Sequence, residues 1–227
     1  MKSILLPLEN HEPAESCLTT AWQLAQVCAS QVKCFALRPV HYQVVGAEPI
    51  VAVTFPPSEQ EDGDAYEGAK QRFDKFVASH SAKDGARLVW GATSPIDDNQ
   101  ISSISRIYDL TVVGRPAHTG EGPRMTTLEA ALFDSGRPIL VAPPKPRETF
   151  GKNVVISWNH SMESAHTVAF GIELLQKADT VSVLTIEGVT VPGPDGAQLC
   201  DYLAVHGIDA AEPVSYTHLT LPTNTVT

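Results

Sequence analysis

Short strand-like runs, regularly spaced along the first two thirds of the chain, constrain its fold more than any other feature. Ile4-Leu5-Leu6, Val32 to Leu37, Arg87 to Trp90, Leu110-Thr111-Val112-Val113 and Ile139-Leu140-Val141-Ala142 are too short for helices, and several end at turn residues such as Pro7, Arg38-Pro39 and Gly114. The most apolar of them, Ile4 to Leu6, lacks polar alternation, so it suits a strand covered on both faces, as in a parallel sheet. Helical spacing fills the intervals. From Ala14 to Ser30 the residues Cys17, Leu18, Ala21, Trp22, Leu24, Ala25 and Cys28 share one face, with Pro13 where a first turn accepts it. Ser58 to Ser81 opens with Ser58 and Glu61 in capping-box spacing and carries Tyr66, Phe73, Phe76 and Val77 as its apolar stripe. Ile101 to Tyr108 is a short helix expected to turn Ile101, Ile104, Ile107 and Tyr108 inward, and Thr126 to Phe133 is another. Alternating strands and helices specify an α/β fold, a Rossmann-like parallel sheet flanked by helices. The stretch 40–57 breaks the rhythm. It mixes β-formers with Gly46, Pro49 and Pro56-Pro57, and is expected to be a long, partly ordered crossover.

A second cycle begins after Pro143-Pro144-Lys145-Pro146-Arg147, a stiff, solvated linker. Asn153 to His160 has the form of an opening strand and turn, Glu163 to Gln176 is a helix with Val168, Ala169, Ile172, Leu174 and Leu175 on its apolar side, and Thr180 to Ile186 is a β-branched strand. The repeated order implies an internal duplication, with a complete copy over residues 1–145 and a partial one over 151–213.

Charge and cysteine usage narrow the function. A formal net charge of −10 leaves no excess of Lys and Arg to displace counterions from a polyanion, so nucleic acid is an unexpected partner. A small nucleotide stays admissible, because helix-start N–H groups hold phosphates without much positive charge. No apolar run approaches the ~18 residues of a membrane span, and the apolar start is stopped by Pro7 and Glu9, so a cytoplasmic location is expected. Cys17, Cys28, Cys34 and Cys200 lack metal or redox spacing and are expected to be small buried or half-buried side chains.

Tyr108-Asp109-Leu110-Thr111-Val112-Val113-Gly114-Arg115, followed by Thr126-Thr127, Glu129 and Pro138-Ile139-Leu140-Val141, resembles the fourth strand, last helix and last strand of universal stress proteins. Val154-Val155-Ile156-Ser157-Trp158-Asn159-His160-Ser161 is similar to the opening strand of a second copy in tandem bacterial members. The resemblance implies a non-enzymatic stress-response protein whose two copies pack as an intramolecular pseudo-dimer, with homo-oligomers also open, and which takes ATP or a related adenine nucleotide. It implies a site in the first copy made of Glu9, where the family often has Asp, and of Gly114, Arg115, Gly120, Thr126 and Thr127. The family's G-x-x-G-x9-G-[ST] signature is only partly present. Gly114 matches its first glycine, but Ala117 replaces the second, and the final pair falls on Met125-Thr126 after a loop two residues shorter. Two alternatives therefore stay open: a ligand-free interaction module in which Gly114 serves a turn alone, and a weak nucleotide hydrolase using Arg115, His118 and Glu121. No metal is expected.

Other polar residues read as structural. His11 and His160 fit turns, Ser161 and Ser164 fit helix caps, and Asp97-Asp98 suits a helix start. Residues 214–227 change character: they are rich in Thr and carry no Lys, Arg, Asp or Glu. Val214 to Leu219 resembles the in-frame translation of a transposon-end sequencing adapter, so 214–227 is expected to be a non-native tail that cuts the second copy short. A sheet halted partway exposes an edge. A chain ending at Arg147 is therefore expected to be more soluble than the full chain, and equal solubility and melting behaviour of the two contradicts this.

Overall fold

β1 (Ser3–Leu8) runs through the middle of a five-stranded parallel sheet, and its residues Ile4, Leu5, Leu6 and Leu8 are wholly buried. The computed structural model describes residues 1–11, 13–39, 41–45, 51–55, 57–80, 85–91, 93–116, 122–186 and 191–216. They divide into two units, Met1–Phe150 and Gly151–Thr227.

In the first unit the elements follow in the order β1, α1 (Ala14–Cys28), β2 (Gln31–Ala36), β3 (His41–Val45), β4 (Val51–Phe55), α2 (Glu59–Ser79), β5 (Arg87–Trp90), α3 (Asp98–Ser105), β6 (Leu110–Gly114), α4 (Met125–Phe133) and β7 (Ile139–Ala142). The sheet order is β5-β2-β1-β6-β7, all parallel, so the chain reverses direction across the sheet between β1 and β6. That reversal opens a crevice at the carboxyl ends of β1 and β6, the place where such sheets bind ligands. Helices α1 and α2 pack on one face, where α1 lies over β1 and β6. Helices α3 and α4 pack together on the other. There Leu5, Phe35 and Val113 meet Ile101, Tyr108 and Ala131 in one apolar cluster. Burying each large aliphatic side chain contributes roughly 1.5–3 kcal/mol, so this two-faced cover is the main stabilising term.

Local chemistry sets the helix ends. The Ser58 hydroxyl accepts from the Glu61 N–H while the Glu61 carboxylate accepts from the Ser58 N–H, the capping box expected from the sequence. Asp97 and Gln100 form another at α3. Ser161 caps the helix that begins at Met162. Of the residues expected to turn inward near α3, Ile107 instead lies 79% exposed, because the helix ends at Ser105 and the chain turns toward β6 before the next helical position is reached. The stretch expected to be a partly ordered crossover pairs β3 with β4 as an antiparallel two-stranded sheet. Residues 40, 46–50 and 56 lie outside the described residues. The proline-rich linker is exposed over residues 144–149, yet it is tied back to α1: Ser16 Oγ donates to the Pro143 carbonyl and Gln23 Nε2 to that of Arg147.

The second unit comprises β8 (Asn153–Trp158), α5 (Met162–Leu175), β9 (Thr180–Ile186), α6 (Gly196–Val205) and β10 (Ala210–Tyr216), with parallel sheet order β10-β9-β8. This repeats the pairing order of β5-β2-β1. Ile156, Trp158, Val181 and Val183 build its core with Val168, Leu199 and Leu203, while the alternate position Val155 is 63% exposed. In α5, Ala169, expected on the apolar side, is exposed. The sequence reading anticipated neither α6 nor β10. β10 runs through Tyr216, three residues past the expected end of the second copy at Pro213, and its register with β9 shifts between Ala211 and Val214. Residues 217–227 lie outside the described ones.

Asp109 fastens the start of β1 to the start of β6. Its carboxylate accepts from the N–H groups of Lys2 at 2.6 Å and Ser3 at 2.9 Å, and these hold it below the usual carboxylate range. A depressed carboxyl adds stability above its unfolded value of about 3.9, and that stability disappears as pH falls through the folded value. Asp109→Asn is expected to lower the melting temperature at neutral pH, with the difference shrinking as pH falls through the folded value, measured by thermal unfolding across a pH series.

Candidate functional site

Glu9 follows the last residue of β1 and reaches the crevice directly. Its side chain is only 14% exposed. The turn behind it is closed by the His11 N–H donating to the Glu9 carbonyl at 3.1 Å and the Ala14 N–H donating to that of His11 at 3.2 Å, which starts α1. Between them, Asn10 is held by α2. Arg72 Nε donates to Asn10 Oδ1 at 2.9 Å, and the Asn10 amide rests where a side chain on Gly68 would stand, 2.2 Å from an ideal Cβ. A glycine inside a helix costs about 1 kcal/mol relative to alanine. Here it lets the loop after β1 dock on α2.

Arg124, the residue before α4, closes the opposite side. Its backbone N–H donates to Glu9 Oε1 at 3.2 Å and its Nε lies 3.4 Å from Glu9 Oε2. Nη1 donates to the Arg38 carbonyl at 3.0 Å, and Nη2 lies 3.5 Å from Asp98 Oδ1. Thr127 Oγ1 donates to the same Asp98 oxygen at 2.8 Å. Arg38, just beyond β2, pairs with Asp62 on α2 at 3.1 Å. One guanidinium thus joins the ends of β1, β2, α3 and α4. The cavity these residues enclose has a volume of about 360 Å³, and Glu9, His11, Arg38, Glu61, Asp64 and Arg124 are among its lining residues.

Burial raises the Glu9 carboxyl above its ordinary value, with the Arg124 charge pulling the other way. Burial lowers His11, and the neighbouring Arg72 and Arg124 charges add to that, which leaves the ring neutral at physiological pH. Neither ring nitrogen of His11 has a hydrogen-bond partner among the described residues; Glu9 Oε2 is 3.8 Å from Nε2. Arg38 Nε, Asp62 Oδ1, Arg124 Nε and Thr126 Oγ1 are likewise buried without a hydrogen-bond partner.

The residues expected from the sequence divide into three groups. Glu9 lines the cavity, and Thr127 helps to hold it through Asp98. Thr126 buries a hydroxyl without a partner. Gly114 and Arg115 lie at the end of β6 and are not among the lining residues of this cavity. An ideal Cβ on Gly114 would stand 2.3 Å from Pro123 Cγ and 3.1 Å from Cys17 Sγ, so the close approach that this glycine permits is made by the chain's own proline. The Arg115 N–H donates to the Ala142 carbonyl, and its side chain is exposed. Gly120, His118 and Glu121 lie outside the described residues. Asp98, His11 and Arg124, which the sequence reading gave no part in a site, are brought into it by the fold. Cys17, beneath Gly114, is pushed up to about 12 by burial, and Cys34 is raised further, so both stay protonated.

A five-stranded parallel sheet with this order, reversal point and helical cover has a known counterpart. The fold is similar to that of a universal stress protein. The solved structure of one from Archaeoglobus fulgidus DSM 4304 superposes with a TM-score of 0.63 at 12% sequence identity, over 95% of this chain and 79% of that one. No protein-family model matches the sequence, and neither does any curated protein sequence. Among the described residues no helix is long and apolar enough to cross a membrane, and no group of three or more His, Cys, Asp and Glu is placed to hold a metal ion.

Removing Arg124 would leave Glu9 buried without its counter-charge. A carboxyl raised by burial withdraws stability as pH rises from its unfolded value of about 4.3 through its folded value. Arg124→Met is therefore expected to destabilise the protein by about 2–4 kcal/mol at neutral pH, with much of the loss recovered near pH 4, read from denaturant unfolding at both pH values.

Proposed function

We propose that the first unit is a binding module of the universal stress protein kind, and that its cavity receives the adenine nucleoside portion of ATP or a related nucleotide. One observation carries the reading. Of the eight buried side-chain polar atoms that lack a hydrogen-bond partner among the described residues, five belong to residues that line this cavity or pair with one that does. Buried polar groups are nearly always paired, so such a concentration marks a place built for water or for a polar ligand. Its position at the chain-reversal point of a parallel sheet is where ligands of this architecture bind, and an acidic residue there suits ribose hydroxyls. A volume of about 360 Å³ lies within the range of small-molecule sites. Glu9 and His11 supply an acceptor and a neutral ring for hydroxyl and amino groups.

A second reading, a ligand-free interaction module, is favoured by Pro123, which fills the space against Gly114 that the family's glycine loop leaves to phosphate. The repeated order of β8, β9 and β10 supports a partial second copy of the same fold.

Calorimetric titration with adenosine and its nucleotides separates the two. Binding is expected in the wild type, and Glu9→Gln is expected to weaken it about tenfold or more, the worth of a hydrogen bond to a charged group. Absence of heat from every ligand establishes the interaction module instead.

A further inference from the structure

We propose that the second unit carries a ligand site of its own: the cavity between α5 and α6 takes a small planar ring molecule that bears a hydrogen-bond acceptor. The two helices stand on different strands, α5 on β8 and α6 on β9 and β10. Near the carboxyl end of β8 they enclose a cavity of about 350 Å³, with Trp158 among its lining residues. In the first unit the space between the first two helices is taken up by the protein itself. Leu18 of α1 and Phe76 of α2 are buried there, and the cavity they line has a volume of only about 110 Å³. The far larger hollow in the second unit falls within the range of small-molecule sites.

Sequence spacing builds its walls. Along β8, Ile156 and Trp158 alternate with the exposed Val155, which turns the Trp158 indole to the helix side, where it is buried. The indole N–H donates to the Pro194 carbonyl at 2.8 Å, so the ring is fixed and the segment before α6 is drawn over it. Ala165 and Val168 share one face of α5, and Leu199 and Tyr202 share one face of α6. Trp158, Val168 and Leu199 form a buried floor, whereas Ala165, Pro194, Gln198 and Tyr202 form an exposed rim. An apolar floor with a fixed indole suits an aromatic guest, because ring pairs gain more than their buried area alone. The rim supplies donors. Gln198 commits its carbonyl oxygen to the capping box with Asp195, which leaves its amide N–H groups for a guest. The Tyr202 hydroxyl has no hydrogen-bond partner among the described residues. Donors above an apolar floor call for an acceptor on the guest. Helix α6 has 10 residues, a length of roughly 15 Å, so the hollow suits a compact molecule rather than a partner helix.

The test titrates the full chain calorimetrically with coumarin, a planar bicycle with a carbonyl acceptor, and with 1-octanol, a flexible chain without a ring. Coumarin is expected to bind, and to bind about tenfold or more tightly than 1-octanol. Ala165→Trp, a change at an exposed rim position, is expected to fill the hollow and abolish coumarin binding. Tyr202→Phe keeps the ring, removes the donor and is expected to weaken coumarin about 2–10-fold. No heat from coumarin with the wild type, or coumarin binding retained in Ala165→Trp, overturns the site. Octanol binding as tightly as coumarin shows an unselective apolar groove and overturns the ring ligand, and unchanged affinity in Tyr202→Phe overturns the acceptor.

Discussion

The guanidinium of Arg124 is the point on which the functional end of the first unit depends. Parallel strands deliver their carboxyl ends to one edge of the sheet, and each end must be closed by whatever the following loop provides. Here a single side chain satisfies the Glu9 carboxylate, the Arg38 carbonyl and Asp98 together. It is planar and offers five donors in a fixed fork, so it can hold several acceptors at once where a lysine could not. The cavity beside it keeps its shape because β1, β2, α3 and α4 are pinned to the same group.

That arrangement also accounts for the departure from the family's glycine signature. A glycine loop leaves backbone exposed to phosphate, whereas this chain places Pro123 and Arg124 there and turns both inward. Proline fills the hollow over Gly114, and arginine answers the buried carboxylate. The fold thus stays similar to that of a universal stress protein, while Pro123 and Arg124 close the strand ends beside Gly114 and Glu9.

Much of the scaffold was legible because it is local. Ile4 to Leu6 could only be a strand buried on both faces, and Ser58 with Glu61 announced the start of α2 through the spacing of two side chains. The β3–β4 pair was not, since Gly46, Pro49 and Pro56 blur the alternation that identifies strands, and an antiparallel pair outside the main sheet leaves no trace in the strand–helix rhythm. Within the site, Glu9 was found through its place after β1. Arg124, Asp98 and His11 were missed because their roles arise from long-range contacts: Arg124 is 115 residues from Glu9 in sequence, and no periodicity links them. Asp98 read as a helix-start charge, which it also is, and only the packing of α3 against α4 shows its second task.

Helix α2 joins the cavity of the first unit to the indole of Trp90. One stretch of it presents Glu61, Asp64 and Ala65 to the cavity, and the next residue, Tyr66, accepts a hydrogen bond at 3.0 Å from the indole N–H of Trp90. Gly68 and Arg72 on the same helix grip the loop that bears Glu9 and His11. The wall of the cavity and the surroundings of the Trp90 indole are therefore set by one rigid element, so a displacement of α2 changes both together.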